Sequence, residues 1–183
     1  NLLVGGVRTL DEFLKNQGFV ALEKSLQLLP EDIIKLVELS LLRGRGGAGF
    51  PTGLKIRSVF QQKSTPKYLI ANGDEGDPGS YIDRFLMEDD PYRLIESMVI
   101  TAYAIQAEKG YIYLRKEYPK TYTILQQSLK EARQKGFLGT HIMNTDFNFD
   151  IELIVGLGSY VCGEETALIR SIEGKRPEVM PRP

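Results

Sequence analysis

The chain has 183 residues, of which 42% are hydrophobic and 26% charged, which is the ordinary composition of a globular domain. The formal net charge of −1 gives no electrostatic basis for binding nucleic acid or an anionic membrane surface. No apolar run is long enough to span a bilayer, so direct membrane insertion is not expected. The single cysteine excludes an internal disulfide and a four-cysteine cluster within these residues, and it favours a reducing intracellular compartment.

The first 42 residues predict three helices. Thr9 is suited to cap a helix over residues 10–16, and residues 19–29 repeat apolar side chains at helical spacing. Pro30 then starts a third helix that reaches about residue 41. We therefore expect an N-terminal helical segment over residues 1–42, followed by a ligand-binding domain over residues 43–183.

Strands and helices alternate in the rest of the chain. The predicted strands cover residues 67–71, 111–114 and 149–155, and the predicted helices cover residues 54–62, 91–108, 119–135 and 164–172. This order predicts an α/β fold with a Rossmann-like, mainly parallel sheet flanked by helices. Ligands of such sheets bind beyond the carboxyl ends of the strands, and two motif-bearing loops follow the first and third predicted strands. The proline-rich residues 180–183 predict that the chain belongs to something longer, and that the domain is incomplete at this end.

A glycine-rich segment covers residues 43–53. Gly44, Gly46 and Gly49 have the G-x-G-x-x-G spacing, but a dinucleotide fingerprint needs a strand before it, and the preceding residues have a helical pattern. The glycines let a ligand approach the backbone, whose N–H groups can hold phosphate. Three flanking cations suit phosphate: Arg43, Arg45 and Lys55. The alternative is a mobile glycine loop without a ligand.

Acidic side chains follow the first predicted strand. Asp74, Glu75 and Asp77 lie within four residues, and three interpretations stay open. They are a divalent metal site, hydrogen bonding to ribose hydroxyls or a heterocycle N–H, and solvated acids of a turn. Asn72 favours a ligand, because a side-chain amide both donates and accepts.

A second glycine-rich turn follows the third predicted strand. Tyr160 is placed to stack on a planar ring, and Glu164 and Glu165 lie in the first turn of a helix, where the helix dipole also favours them. We expect Cys162 to be a buried or ligand-adjacent thiol rather than a nucleophile. The chain has one histidine, His141, in a predicted surface loop, so no Ser-His-Asp or histidine metal site can be built.

Three segments in this order resemble one family. They are LRGRGGAGFPTGLK at residues 42–55, NGDEGDPGS at residues 72–80 with Asp83 and Arg84 after it, and YVCGEETAL at residues 160–168. The chain resembles the flavin- and NADH-binding subunit shared by respiratory complex I, NAD-reducing and electron-bifurcating hydrogenases, and NAD-linked formate dehydrogenases. The resemblance covers roughly residues 20–183.

The resemblance implies roles for the motif residues. The phosphate and ribityl chain of FMN are held by the glycine loop, with contacts from Gly44, Arg45, Gly46 and Lys55. The flavin ring and ribityl hydroxyls meet the other two motifs, at Asn72, Asp74, Glu75, Tyr160, Gly163 and Glu164. The G-x-G-x-x-G of this loop is shared between FMN and NADH, and Gly47, Ala48 and Gly49 are among its cofactor-binding residues. The dinucleotide is contacted by Phe50, Asp77 and Glu165. Glu75 and Glu164 are the candidates for a catalytic role.

The resemblance also implies an activity and partners. The protein would transfer hydride from NADH to FMN, or in reverse, and pass electrons to iron–sulfur subunits, a thioredoxin-like [2Fe–2S] subunit among them. A [4Fe–4S] cluster is expected only beyond residue 183, and no metal site within the chain. The implied location is cytoplasmic, at the inner face of a membrane where partner subunits hold it there. Two alternatives are a Rossmann-type dehydrogenase without flavin and a truncated scaffold that binds nothing.

Overall fold

The computed structural model describes residues 6–45, 47–156 and 158–181. Three helices come first: α1 at Leu10–Lys15, α2 at Val20–Ser25 and α3 at Pro30–Leu39. The Thr9 hydroxyl caps α1 by accepting a hydrogen bond from the Glu12 N–H at 3.3 Å, as the sequence predicts. Helix α2 ends at Ser25, four residues earlier than predicted. Leu29 could not have belonged to it, because Leu29 precedes a proline and its backbone is extended at φ −71° and ψ 146°.

The remaining elements form the α/β layers. They are α4 at Thr52–Phe60, β1 at Tyr68–Gly73, α5 at Ile82–Asp89, α6 at Pro91–Ile105, β2 at Lys109–Arg115, α7 at Pro119–Gln134, β3 at Asp150–Gly156 and α8 at Glu165–Ile172. Short 3-10 turns lie at Ile142–Asn144 and Tyr160–Gly163. Every predicted helix and strand is present with shifted ends, whereas α5 was not predicted.

The three strands form one parallel sheet in the order β1-β2-β3. Helices α6 and α7 contact each other and the same face of the sheet, while α8 contacts β3 on the other face. The predicted α/β class with a parallel sheet and flanking helices is confirmed. Because all strands run in one direction, their carboxyl ends lie along one edge, which we call the carboxyl edge: Gly73, Arg115 and Gly156.

Alternation along β2 divides the apolar side chains between two cores. Ile112 and Leu114 join the main core with α6 and α7, whereas Tyr113 faces a small cluster with Cys162 and Leu168. Cys162 is 1% exposed, so the expectation of a buried thiol is confirmed.

The N-terminal helices share the main core. Leu10, Phe13 and Leu22 are buried in the same cluster as Ile112 of the sheet. Helix α3 packs against α4 and α6. The boundary at residue 42 stays a prediction.

A buried carboxylate joins α5 to α7. Glu88 is 4% exposed and accepts hydrogen bonds from Thr121 Oγ1 at 2.8 Å, Lys120 Nζ at 2.6 Å and Arg84 Nε at 3.0 Å. Burial pushes the pKa of Glu88 up, but these three hydrogen bonds together outweigh burial and hold the pKa below its ordinary value. The ionised form of Glu88 therefore stabilises the fold.

We expect Glu88→Gln to lower the free energy of unfolding at pH 7 by about 1–2 kcal/mol, because the charge-assisted hydrogen bonds from Arg84 and Lys120 are lost. A depressed folded pKa gives stability that is present above the unfolded pKa and lost as pH falls through the folded pKa. The difference between wild type and variant should therefore shrink in acid, as urea unfolding at pH 7 and near pH 3 would show. Glu173→Gln, which removes an exposed pair with Lys175, should change neither curve. An equal difference at both pH values would contradict this reasoning.

Candidate functional site

The carboxyl edge brings two of the predicted motifs together. Asn72, next to the last residue of β1, donates from Nδ2 to the Gly163 carbonyl at 2.9 Å. The Tyr160 hydroxyl donates to Asp77 Oδ1 at 2.8 Å. These bonds join the end of β1 and the acidic loop, residues 74–81, to the second glycine turn, residues 158–164. The parallel sheet thus brings together residues that are 83 to 91 positions apart in the sequence.

An exposed ring lies against the acidic loop. A Cβ atom at Gly76 would come within 2.7 Å of Tyr160 Cδ2, so glycine allows the ring to pack on the backbone there. The hydrogen bond to Asp77 raises the pKa of Tyr160. Tyr160 is nevertheless 71% exposed, which leaves ring surface for a planar ligand.

Asp74 is the buried acid of the site. It is 9% exposed, and its Oδ2 atom has no hydrogen-bond partner in the part of the chain that the structure describes. Burial raises the pKa of Asp74, and the Arg115 guanidinium, 3.9 Å from Oδ1, only partly opposes this. A buried acceptor without a donor is costly, so Oδ2 is suited to a ligand N–H or O–H.

Both predicted catalytic glutamates cap helices in this structure. Glu75 Oε1 accepts from Ser80 Oγ at 2.8 Å and from the Ile82 N–H, in the first turn of α5, at 2.9 Å. Glu164 Oε2 accepts from the Thr166 and Ala167 N–H groups of α8 at 2.9 and 3.0 Å. A carboxylate is favoured at a helix N-terminus by its free N–H groups and its dipole. These contacts fix the loops, and a catalytic role of either glutamate stays a prediction.

Arg115 is a residue of the site that the sequence reasoning missed. It ends β2, and its Nη1 donates to the Glu75 carbonyl, while its Nε lies 3.3 Å from Glu117 Oε2. Its guanidinium also lies 5.7 Å from the centre of the Tyr118 ring. The available signal was its position directly after a predicted strand, the same position that singles out the loops after the other two strands.

The glycine loop, residues 43–53, closes as a small hairpin. The Gly44 N–H donates to the Phe50 carbonyl at 2.9 Å, and Arg43 Nη1 donates to the Gly49 carbonyl at 2.9 Å. Arg43 and Pro51 form an isolated antiparallel bridge, and α3 ends at Leu39, so no strand precedes Gly44 among the described residues. The loop therefore lacks the strand that a dinucleotide fingerprint requires.

The described part of the loop presents open backbone and exposed charge. Gly47 and Gly49 have φ of +96° and +60°, and a Cβ at either would meet nothing within 4 Å. Arg45 and Lys55 are exposed, and Phe50 is 55% exposed. Ala48 is also exposed. Gly46 lies outside the described residues. The hydrogen bonds that shape this loop are local, unlike those that join the other two motifs.

A cavity of about 310 Å³ lies beside the end of β1, between that strand, α5 and α6. Its lining includes Asn72, Gly73 and Asp83 together with apolar side chains such as Leu86 and Met87. No residue of the glycine loop or the second glycine turn lines it. The polar groups that converge at the carboxyl edge, rather than this apolar cavity, form the candidate site.

The family model of the Nuo51 FMN-binding domain matches residues 37–183. The chain belongs to this family. Residues 37–183 include the glycine loop, the acidic loop and the second glycine turn, so all three motifs are part of the Nuo51 domain.

Relatives of this Nuo51 chain occur in two kinds of complex. An NADH-quinone oxidoreductase subunit of Aquifex aeolicus is 52% identical over 170 residues, 93% of this chain and 40% of the relative. The NADP-reducing hydrogenase subunit HndC of Solidesulfovibrio fructosivorans is 46% identical over 175 residues, 96% of this chain and 36% of the relative. The chain therefore spans about 40% of the length of the relatives it matches.

A solved structure has the same fold. The crystal structure of an NAD⁺-reducing [NiFe]-hydrogenase in the H₂-reduced state matches with a TM-score of 0.75 and 38% identity, over 84% of this chain and 26% of that one. The family and these relatives confirm the resemblance to NADH dehydrogenase-type flavoprotein subunits that the three motifs indicate.

Neither a membrane span nor a metal centre is present in the described part of this Nuo51 chain. Within residues 6–45, 47–156 and 158–181, no helix combines the length and apolar character needed to cross a membrane. Over the same residues, no group of three or more histidine, cysteine, aspartate or glutamate side chains is arranged to hold a metal ion.

Proposed function

We propose that this chain binds FMN at the carboxyl edge and takes part in hydride transfer between NADH and FMN, as a module of a longer electron-transfer protein. The observation that carries the proposal is the buried Asp74 Oδ2 atom, which has no hydrogen-bond partner within the described residues. It belongs to the loop whose Gly76 packs against the exposed Tyr160 ring. A flavin offers both matching features, a planar ring and N–H or O–H donors. The family model for an FMN-binding domain supports the same ligand.

The phosphate end of FMN fits the glycine loop. The open backbone at Gly47 and Gly49 lets phosphate oxygens approach N–H groups, and the exposed cations Arg45 and Lys55 supply positive charge. Gly44 belongs to the same loop, and Gly46 is assigned with it from the sequence motif alone.

The ring and ribityl end fits the two joined motifs. We assign contacts with FMN to Asn72, Asp74 and Tyr160, with Gly163 at the turn that Asn72 holds in place. Glu75 and Glu164 act by fixing α5 and α8 beside the ligand, because their carboxylates accept hydrogen bonds from the N-terminal N–H groups of these helices. Bound FMN supplies the hydride acceptor, and the protein's part is to hold nicotinamide against it.

NADH is assigned to the exposed side of the same region. Phe50 offers a ring for stacking, and Asp77 and Glu165 are the polar contacts proposed for the dinucleotide. Electrons then pass to iron–sulfur subunits, including a thioredoxin-like [2Fe–2S] partner, with a [4Fe–4S] cluster in a part of the protein beyond residue 183. The proposed location is cytoplasmic, next to the inner face of a membrane where such partners are membrane-bound.

The two alternatives make different predictions. A dehydrogenase without flavin would use residues 44–49 as a fingerprint after a strand, and the described residues before Gly44 offer helix α3 and a single bridge instead. A scaffold that binds nothing would leave FMN fluorescence unchanged.

Titration of the purified chain with FMN, followed by flavin fluorescence, tests the binding step. We expect saturable binding, and anaerobic addition of NADH should then bleach the absorbance of the bound flavin. Absence of FMN binding would overturn the proposal. Binding without bleaching would keep the flavin site and remove hydride transfer from this chain.

Gly49→Ala should weaken FMN binding at least about tenfold, since a methyl group would stand in the space assigned to the phosphate. Gly136→Ala is the matched control, because Gly136 has a φ of +74° and equally open surroundings at the end of α7. Both variants should lose similar stability through the left-handed backbone. FMN affinity measured by fluorescence should fall for Gly49→Ala alone, and equal losses would argue for a general destabilisation.

A further inference from the structure

One side chain connects the central strand to two of the three acidic residues of the acidic loop. Arg115 stands at the end of β2, donates from Nη1 to the Glu75 carbonyl, and has Nε at 3.9 Å from Asp74 Oδ1. Its side chain is 25% exposed, so these interactions are partly shielded from water. Arg115 therefore brings one guanidinium to two consecutive residues of the loop.

The Arg115 guanidinium is itself held in place. Glu117 Oε2 lies 3.3 Å from Nε, and the guanidinium carbon lies over the Tyr118 ring, 5.7 Å from the ring centre. Because a guanidinium group is planar and rigid, contacts on one side of it also fix the direction of its other N–H donors. Through Glu75, whose carboxylate caps α5, the same contact also ties the start of α5 to the end of β2.

We propose that Arg115 is a positioning residue of the flavin site, which holds the acidic loop on the carboxyl edge and places a positive charge beside Asp74. The inference rests on the proposed FMN site. It adds a residue outside the three motifs, and it gives Arg115 an effect on the ligand through Asp74 and Glu75 rather than by contact.

The charges around Asp74 give the expected direction of a pH effect. Arg115 favours the carboxylate form of Asp74, whereas Glu117 on the loop after β2 disfavours it. The negative charge of Asp74 also contributes to raising the pKa of Tyr113 on β2. On the side of the second glycine turn, the residue next to the Asp74 carbonyl is Gly163, which carries no charge. Removing Arg115 should therefore raise the pKa of Asp74, and removing Glu117 should lower it.

The test compares Arg115→Gln, Arg115→Lys and Glu117→Gln with wild type. Arg115→Gln should weaken FMN binding at least about tenfold at pH 7. In a plot of FMN affinity against pH, the fall in affinity on the acid side, called the acid limb, should move to higher pH. Arg115→Lys keeps the charge but not the fork, so it should keep the wild-type acid limb with weaker binding throughout. Glu117→Gln should move the acid limb to lower pH.

Arg133→Gln is the matched control. Arg133 donates to the Ile151 carbonyl at 2.6 Å and to Asp150 Oδ1 at 2.8 Å, the same pair of acceptor types, but at the start of β3. It should lose similar stability and leave the FMN profile unchanged.

A second measurement needs no flavin. Titration of the Asp74 carboxyl carbon by NMR in the flavin-free chain should show a higher pKa in Arg115→Gln than in wild type, and amide exchange of residues 74–81 should accelerate. An unchanged Asp74 titration and unchanged exchange would overturn the role of Arg115. Failure of the wild-type chain to bind FMN would instead overturn the proposed function, so the two failures are distinguishable.

Discussion

The Asp74→Asn chain is expected to unfold at a higher temperature than wild type while binding FMN at least about tenfold more weakly. Burial raises the pKa of Asp74 above its ordinary value of 3.8, so the ionised form is disfavoured in the fold. Ionised Asp74 therefore lowers stability at neutral pH, and asparagine removes that cost. The same change replaces the carboxylate whose Oδ2 atom has no hydrogen-bond partner among the described residues, so a hydrogen bond donated by the ligand is weakened.

The sign of this effect can be checked by pH. A raised folded pKa makes the penalty complete above the folded pKa, and the penalty disappears as pH falls below the unfolded pKa. Thermal unfolding should therefore separate the two chains at pH 7 and bring them together in acid. Asp146→Asn, at an exposed aspartate before β3, should alter neither stability nor FMN affinity. A lower melting temperature for Asp74→Asn at pH 7 would show that the buried carboxylate is stabilising.

Gly53→Val should lower the free energy of unfolding by about 2–3 kcal/mol, at the upper end of what overpacking costs. A Cβ at Gly53 would lie 2.8 Å from both the backbone N and the Cα of Glu38, so α3 and α4 would have to separate. Separation would also strain the double hydrogen bond between Arg57 and Glu38, with both distances at 2.5 Å. Urea unfolding measures the loss.

Gly44→Val separates packing from ligand binding. A Cβ at Gly44 would have the Phe50 carbonyl oxygen at 3.7 Å, an ordinary contact, so its stability should change little. FMN affinity should fall in both variants, because the glycine loop connects α3 to α4 and both substitutions therefore alter the proposed phosphate site. Equal urea midpoints for the two valine variants would contradict the close packing of the helices.

Most of the fold could be predicted from local pattern. The strands are short apolar runs between helical segments, and this alternation is sufficient to predict a parallel sheet. Helix α5 was missed because the preceding acids and Pro78-Gly79 indicate a loop. Its start depends on the Glu75 carboxylate, which caps it from seven residues earlier along the chain. A cap at that distance has no recognisable spacing in a sequence.

The residue types of the site could be predicted from the sequence, but the orientation of their side chains could not. The motifs gave the residue types, and the fold shows that Asn72 reaches Gly163 and Tyr160 reaches Asp77. Sequence pattern does not show which acid turns inward, and here Asp74 is buried whereas Asp77 is exposed. Arg115 was missed for a related reason: its role depends on β2 lying next to β1, which only the sheet order reveals.

The two halves of the proposed site differ in how they are anchored. In the described sheet, β2 has a hydrogen-bonded neighbour on each side, and amides of such a strand exchange with solvent only through the largest openings of a fold. Arg115 attaches the ring end of the site to that slowly opening strand. The phosphate end depends on two helices of 10 and 9 residues and a hairpin with one bridge. Local fluctuations should therefore be concentrated in the glycine loop at the phosphate end. The flavin ring would bind to the more rigid end of the site, next to β2.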